Sequence, residues 1–169
     1  MHLYDVADHN VQQAMQLIAF LPEAAYTHPS KVMPYSTIGK HVRHAYDHFV
    51  LLLKQIGKPH WTIDYDVRQR NTPMEVNRLA AIEQLEELQM RLKEIREIPL
   101  ETPVTLSASI DAHDPTKYPF SSTFGRELWY CVMHAVHHFA SIKAICIEQG
   151  LDLPQDFGLA PSTILSHSA

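Results

Sequence analysis

Apolar residues recur at three- and four-residue spacing in four separate stretches, and this periodicity predicts four amphipathic helices. The first runs from about Asp5 to Leu21, with Val11, Ala14, Met15, Ile18 and Leu21 on one side and Pro22 as its stop. A loop carrying Pro29 and Pro34 should follow. The second begins near Ser36 or Thr37, both good caps, and ends at Gly57. Val42, Phe49, Leu52, Leu53 and Ile56 give it an apolar side. The third opens on Thr72-Pro73-Met74-Glu75, the order of a capping box with proline in the first turn. Leu85, Leu88, Leu92 and Ile95 form its packing seam, and Pro99 ends it. The fourth runs from Ser122 or Thr123 to Gln149, with Gly150 as terminator.

Between the third and fourth helices, residues 99–121 read as an irregular, proline-rich crossover, with residues 104–110 as a short strand or pair. The tail from Leu151 to Ala169 carries Pro154 and Pro161 and is expected to lie extended over the surface. Four such helices with two longer connections predict an all-α four-helix bundle, formed as a single domain over residues 1–169.

Composition narrows the class of protein. With 46% hydrophobic and 20% charged residues the 169-residue chain reads as an ordinary globular domain. A formal net charge of −5, with scattered Lys and Arg, argues against a nucleic-acid partner and against a polybasic membrane patch. No apolar run is long enough to span a bilayer, and the N-terminus shows no secretory pattern. Cys131 and Cys146 lie on one expected helix, about 22 Å apart at 1.5 Å per residue, too far to pair. Reduced thiols and no signal point to the cytoplasm.

The chemistry lies in two histidine clusters, His41, His44 and His48 on the second helix and His134, His137 and His138 on the fourth. Spacings of three and four place imidazoles along one helix face. Imidazole is the commonest ligand for first-row transition metals, and one helix supplies only two ligands at i, i+4, so two adjacent helices are the simplest source of a three-histidine site. Six histidines cannot all be ligands. The remainder should be outer partners, acid–base groups or surface residues. Cys131 is a weaker candidate for a fourth ligand, and a buried structural thiol is its simpler role. Asp47 and Glu127 could orient ligand imidazoles. Arg68 and Arg70 follow the acidic-aromatic loop Asp64-Tyr65-Asp66; a solvated loop with local ion pairs is the simpler expectation, and capture of a substrate carboxylate the other. Trp61 and Trp129 read as core or interface residues. No nucleophile triad or phosphate-binding glycine loop is seen.

Ser36 to His44, then Arg126-Glu127-Leu128 leading to His134 and His137-His138, resemble the DinB-like superfamily, the YfiT-like metal-dependent hydrolases. The tail from Asp156 to Thr163 and the loop from Asp64 to Arg68 resemble one branch of it, so the likeness covers nearly the whole chain. The resemblance implies a bundle, often dimeric, with a divalent metal, zinc or nickel, held by His44, His134 and His138. It also implies a small-molecule substrate that can include a low-molecular-weight thiol: the family's roles include thiol transferases and a maleylpyruvate isomerase. The extra histidines, His41, His48 and His137, are departures from the family pattern and competing ligands. Two function classes follow, a metal-dependent hydrolase or thiol transferase and a non-catalytic metal-binding or interaction protein. A homodimer is expected from Val76, Leu79 and Ile82, which are apolar but displaced from the third helix's seam.

Overall fold

A computed structural model describes residues 2–167. Four long helices, α1 (Leu3–Phe20), α3 (Ile38–Leu53), α4 (Arg78–Glu94) and α5 (Phe124–Glu148), pack around one core. A short α2 (Glu23–Thr27) follows Pro22, where only loop was expected, and α6 (Pro161–His167) lies in the tail. α3 packs chiefly on α5, and α1 on α4 and α5. Phe49, Leu52, Leu88, Phe139 and Ile142 are among the side chains buried between them. Each such burial is worth about 1.5–3 kcal/mol.

The helix starts that matter for the site are set locally. Thr37 accepts a hydrogen bond from the Lys40 backbone N–H, and Thr123 accepts one from Arg126, so each threonine caps a histidine-bearing helix. The expected capping box at Thr72 does not form. Pro73–Glu75 is a single 3₁₀ turn, and α4 starts at Arg78 with Asn77 as its cap, accepting from Leu79 and Ala80. Glu75 is turned inward instead, accepting from Arg43 Nε at 3.1 Å and from the Asn71 backbone N–H at 2.8 Å.

Among the described residues the chain is mostly helical, with six α-helices, but it is not all-α. In the crossover, the short strand expected at residues 104–110 forms as β2 (Pro103–Ser109). The part expected to be irregular supplies β3 (Lys117–Thr123), antiparallel to it in a hairpin with Leu106 opposite Phe120. β1 (Thr62–Ile63) pairs parallel to β2, giving the order β1-β2-β3. The hairpin runs straight into α5, because Thr123 ends β3 and caps the helix. β1 feeds the loop that covers the histidines.

The tail is less detached than the sequence suggested. Phe157 is buried and stacks on Phe139, ring centroids 5.0 Å apart. Gly158, at φ +76°, lies so close to α5 that a Cβ there would stand 2.6 Å from the Ala140 nitrogen. Among the described residues no helix is long and apolar enough to cross a membrane.

Candidate metal centre

α3 and α5 lie side by side, and their histidine faces meet. His44, His134 and His138 come together, each offering a ring nitrogen, with all three nitrogens within 4.8 Å of one another. His134 Nε2 and His138 Nε2 are 3.1 Å apart. Two nitrogens on a tetrahedral zinc, each at about 2.0–2.1 Å, stand about 3.3 Å apart, so this pair already has the separation an ion would impose. The donor set therefore fits a first-row divalent metal.

Two of the competing histidines pack around this trio. His41 Nδ1 lies 2.7 Å from His138 Nδ1, so one of the two nitrogens carries the shared proton. Either way, the contact engages Nδ1 of His138 and leaves its Nε2 facing His134. His41 Nε2 is buried with no hydrogen-bond partner. His48 donates from Nδ1 to the His44 carbonyl oxygen at 3.0 Å, and its ring packs against His134, tilted by 33°, with centroids 3.9 Å apart. His137 is exposed and belongs to the rim.

Burial keeps these imidazoles neutral. The His44 pKa falls to about 3, first because the ring is taken out of water and then because Arg68, His48 and His134 face it. Burial and the neighbouring histidines lower His134 to about 4 and His138 to about 2. His41 and His48 shift down for the same leading reason. Neutral imidazole is the form that donates a lone pair to a metal, so at pH 7 the cluster is ready to bind.

The orienting carboxylates anticipated from sequence are elsewhere. Asp47 is held by Arg43 Nη1 at 2.8 Å, and Glu127 touches no imidazole. Glu127 is fully buried and accepts from Tyr65 Oη (2.9 Å), Ser122 Oγ (2.5 Å) and Arg126 Nη1 (2.8 Å). Through it β3, α5 and the Asp64–Asp66 loop are tied together beneath the histidines. Tyr65, not singled out from the sequence as a site residue, stacks flat on His48 with centroids 4.7 Å apart, and Tyr130 stacks on His134 at 5.6 Å. Cys131 is buried beside Tyr65, its Sγ 3.7 Å from the phenol oxygen, and lies outside the ligand group. Burial pushes its thiol pKa well up, which fits an inert structural role. Cys146 is likewise a buried free thiol. Trp61 packs edge-on against Phe124, whereas Trp129 is 51% exposed and so is no core residue.

Arg68 departs most from expectation. The loop after β1 folds back over α3, and Arg68 Nη1 lies 2.8 Å from Nδ1 and 3.1 Å from Nε2 of His44. It faces the histidines rather than solvent or a local carboxylate.

No family model matches the sequence, and no solved structure matches it. A curated protein of Rhizopus delemar named FK506-binding protein 5 is 48% identical over 139 residues. The match takes in 82% of this chain and 31% of that protein, so the chain spans less than a third of the length of the curated relative it matches.

Proposed function

We propose that the protein is a divalent-metal-dependent enzyme of the DinB-like bundle type, a hydrolase or a low-molecular-weight-thiol transferase. The observation that carries this reading is the convergence of His44, His134 and His138 from two helices. These three would hold the ion, zinc or nickel. Once bound, it would supply Lewis acidity, lowering the pKa of a water or thiol placed beside it. The chain's own residues do the rest. His41 engages Nδ1 of His138 and so leaves Nε2 for the cluster, and His48 packs against His134 and limits its rotation. Tyr65 and Tyr130 wall the cluster on the side of the loop. The name of the Rhizopus relative speaks of FK506 binding, whereas the feature that supports metal chemistry in this chain is its histidine cluster.

A second reading, a metal-binding protein without turnover, is favoured by one observation. His41 and His48 each lie against one of the three candidate ligands, so a fourth imidazole is near enough to close the coordination shell. Cobalt substitution separates the two: an absorption spectrum that shifts on adding a small thiol shows an open position, and an unresponsive one shows a closed shell.

Elemental analysis of protein purified without nickel resin should find close to one metal per chain, lost in His134→Ala. Zinc or nickel at about a hundred times Kd should stabilise the metal-free protein by about 2.7 kcal/mol, raising Tm by about 5–10 °C. A wild type that is metal-free and gains nothing from either ion refutes the assignment.

A further inference from the structure

A cavity of about 320 Å³ opens beside the histidines, and its wall is cationic. Lys40, Arg43, Arg68 and Arg70 line it together with His44 and His138, and the only carboxylate there is Glu75. That carboxylate is already used by Arg43 and the Asn71 backbone N–H. Arg43 takes Asp47 as well. Lys40 reaches a carbonyl oxygen, that of Tyr35. Among the described residues, Arg68 and Arg70 make no ion pair.

Arg68 is the anomaly. Its Nε is buried with no hydrogen-bond partner, and its Nη1 contacts the ring of His44, itself uncharged. Asp47 and Asp66 act on it only at longer range, and Arg43 and Arg70 repel it. A half-buried guanidinium with a free N–H and no counter-charge is costly, unless an anion completes it. A metal on the histidines would add further positive charge to the same cavity.

We propose that this cavity takes a small organic anion, its carboxylate held by Arg68 with Arg70 behind it, and the rest of the molecule directed at the histidine cluster. The guanidinium fork matches a carboxylate in two parallel hydrogen bonds and fixes its orientation as well as its charge. This names the substrate class of the metal centre and rests on that reading, while the anion contact itself needs no metal.

The test is calorimetric titration of malonate, and separately of zinc, into the metal-free full chain. Malonate should bind saturably and compete with chloride. Arg68→Gln should weaken it about tenfold to a hundredfold, the range for a charged hydrogen-bonded contact, and leave zinc binding in place. Arg68→Lys should restore part of the loss, and Arg70→Gln at its exposed position should weaken binding several-fold. Arg96→Gln, away from the cavity, should change nothing. If Arg68→Gln fails to fold, Arg68→Lys and Arg70→Gln carry the comparison. Absence of saturable malonate binding, or equal affinity in wild type and Arg68 and Arg70 variants, overturns the proposal. Zinc binding without malonate binding overturns the anion site alone. Arg68-dependent malonate binding in a protein that takes no zinc supports the anion site and overturns the metal reading.

Discussion

Replacing Gly39 with alanine probes the joint that holds the covering loop against α3. Gly39 is in the first turn of α3, where the Pro73–Glu75 turn crosses it. A Cβ there would stand 2.8 Å from the Glu75 carbonyl carbon and 2.8 Å from Tyr26 Cε1, and would overlap the Glu75 carbonyl oxygen outright. The obstacle cannot step aside freely. Tyr26 donates from Oη to the Met74 carbonyl oxygen at 2.7 Å, and the Glu75 side chain is held by Arg43 and Asn71. Relief therefore requires moving backbone, which in a packed core costs about 1–3 kcal/mol or more. The outright overlap with a backbone oxygen puts the cost at the upper end, about 3 kcal/mol. Alanine in a helix returns about 1 kcal/mol over glycine, so the net loss should be about 2 kcal/mol. For a chain of this size that lowers Tm by about 4–8 °C. Scanning calorimetry reads it directly. A Gly39→Ala protein as stable as the wild type would show that the turn is not rigidly seated, and would remove the basis for treating Glu75 and the loop as a fixed cavity wall.

Two further outcomes follow from the same geometry. In metal-free protein the folded-state pKa values of His44, His134 and His138 lie below the ordinary 6.5, so between those values and 6.5 the unfolded chain binds protons that the folded one does not. Stability should be full above pH 6.5 and fall as pH drops towards 4. The slope is at most about 1.4 kcal/mol per pH unit per histidine, and less in practice because His44 and His134 are partly solvated. Urea midpoints that stay level from pH 7 to 5.5 would contradict this. Assembly is the second. Val76 and Leu79 remain largely exposed, Leu79 at 71%, and a two-fold homodimer would bury them. Light scattering at micromolar concentration should give twice the chain mass, and a mass of one chain would sink the dimer.

The helices that carry the histidines were legible because their determinants are local. Thr37 and Thr123 cap within three residues, and a period of 3.6 places His44, His134 and His138 on inward faces. The capping box at Thr72 was equally clear as a pattern and did not form. Glu75 found a stronger partner in Arg43, on another helix, and Asn77 offered a competing cap five residues later. The strands were blurred for a different reason. β3 is exposed along most of its length, and β2 buries only Val104, so neither shows the alternation that a half-buried strand writes into a sequence. Tyr65 was not singled out, and Arg68 was weighed only as a carboxylate-binding alternative to a solvated loop residue, because the positions of both depend on β1 pairing with β2, a contact between segments some forty residues apart.

This division has a consequence for how the site would vary. The candidate ligands sit on two long helices fixed by the core, so their spacing is insensitive to what happens at the surface. Part of the cavity wall, Arg68, Arg70, Asn71 and Glu75, comes from the segment between β1 and α4, which is held by a few polar contacts: Glu75 with Arg43, Lys117 with Asp64 and Asp66, and Tyr65 with Glu127. On the proposed reading, changes in that segment would alter which anion is accepted while leaving the histidine cluster intact. Metal affinity and substrate choice would then be carried by separable parts of the chain. Glu127 is the point where they meet, since it anchors Tyr65 of the loop to the helix that bears His134 and His138.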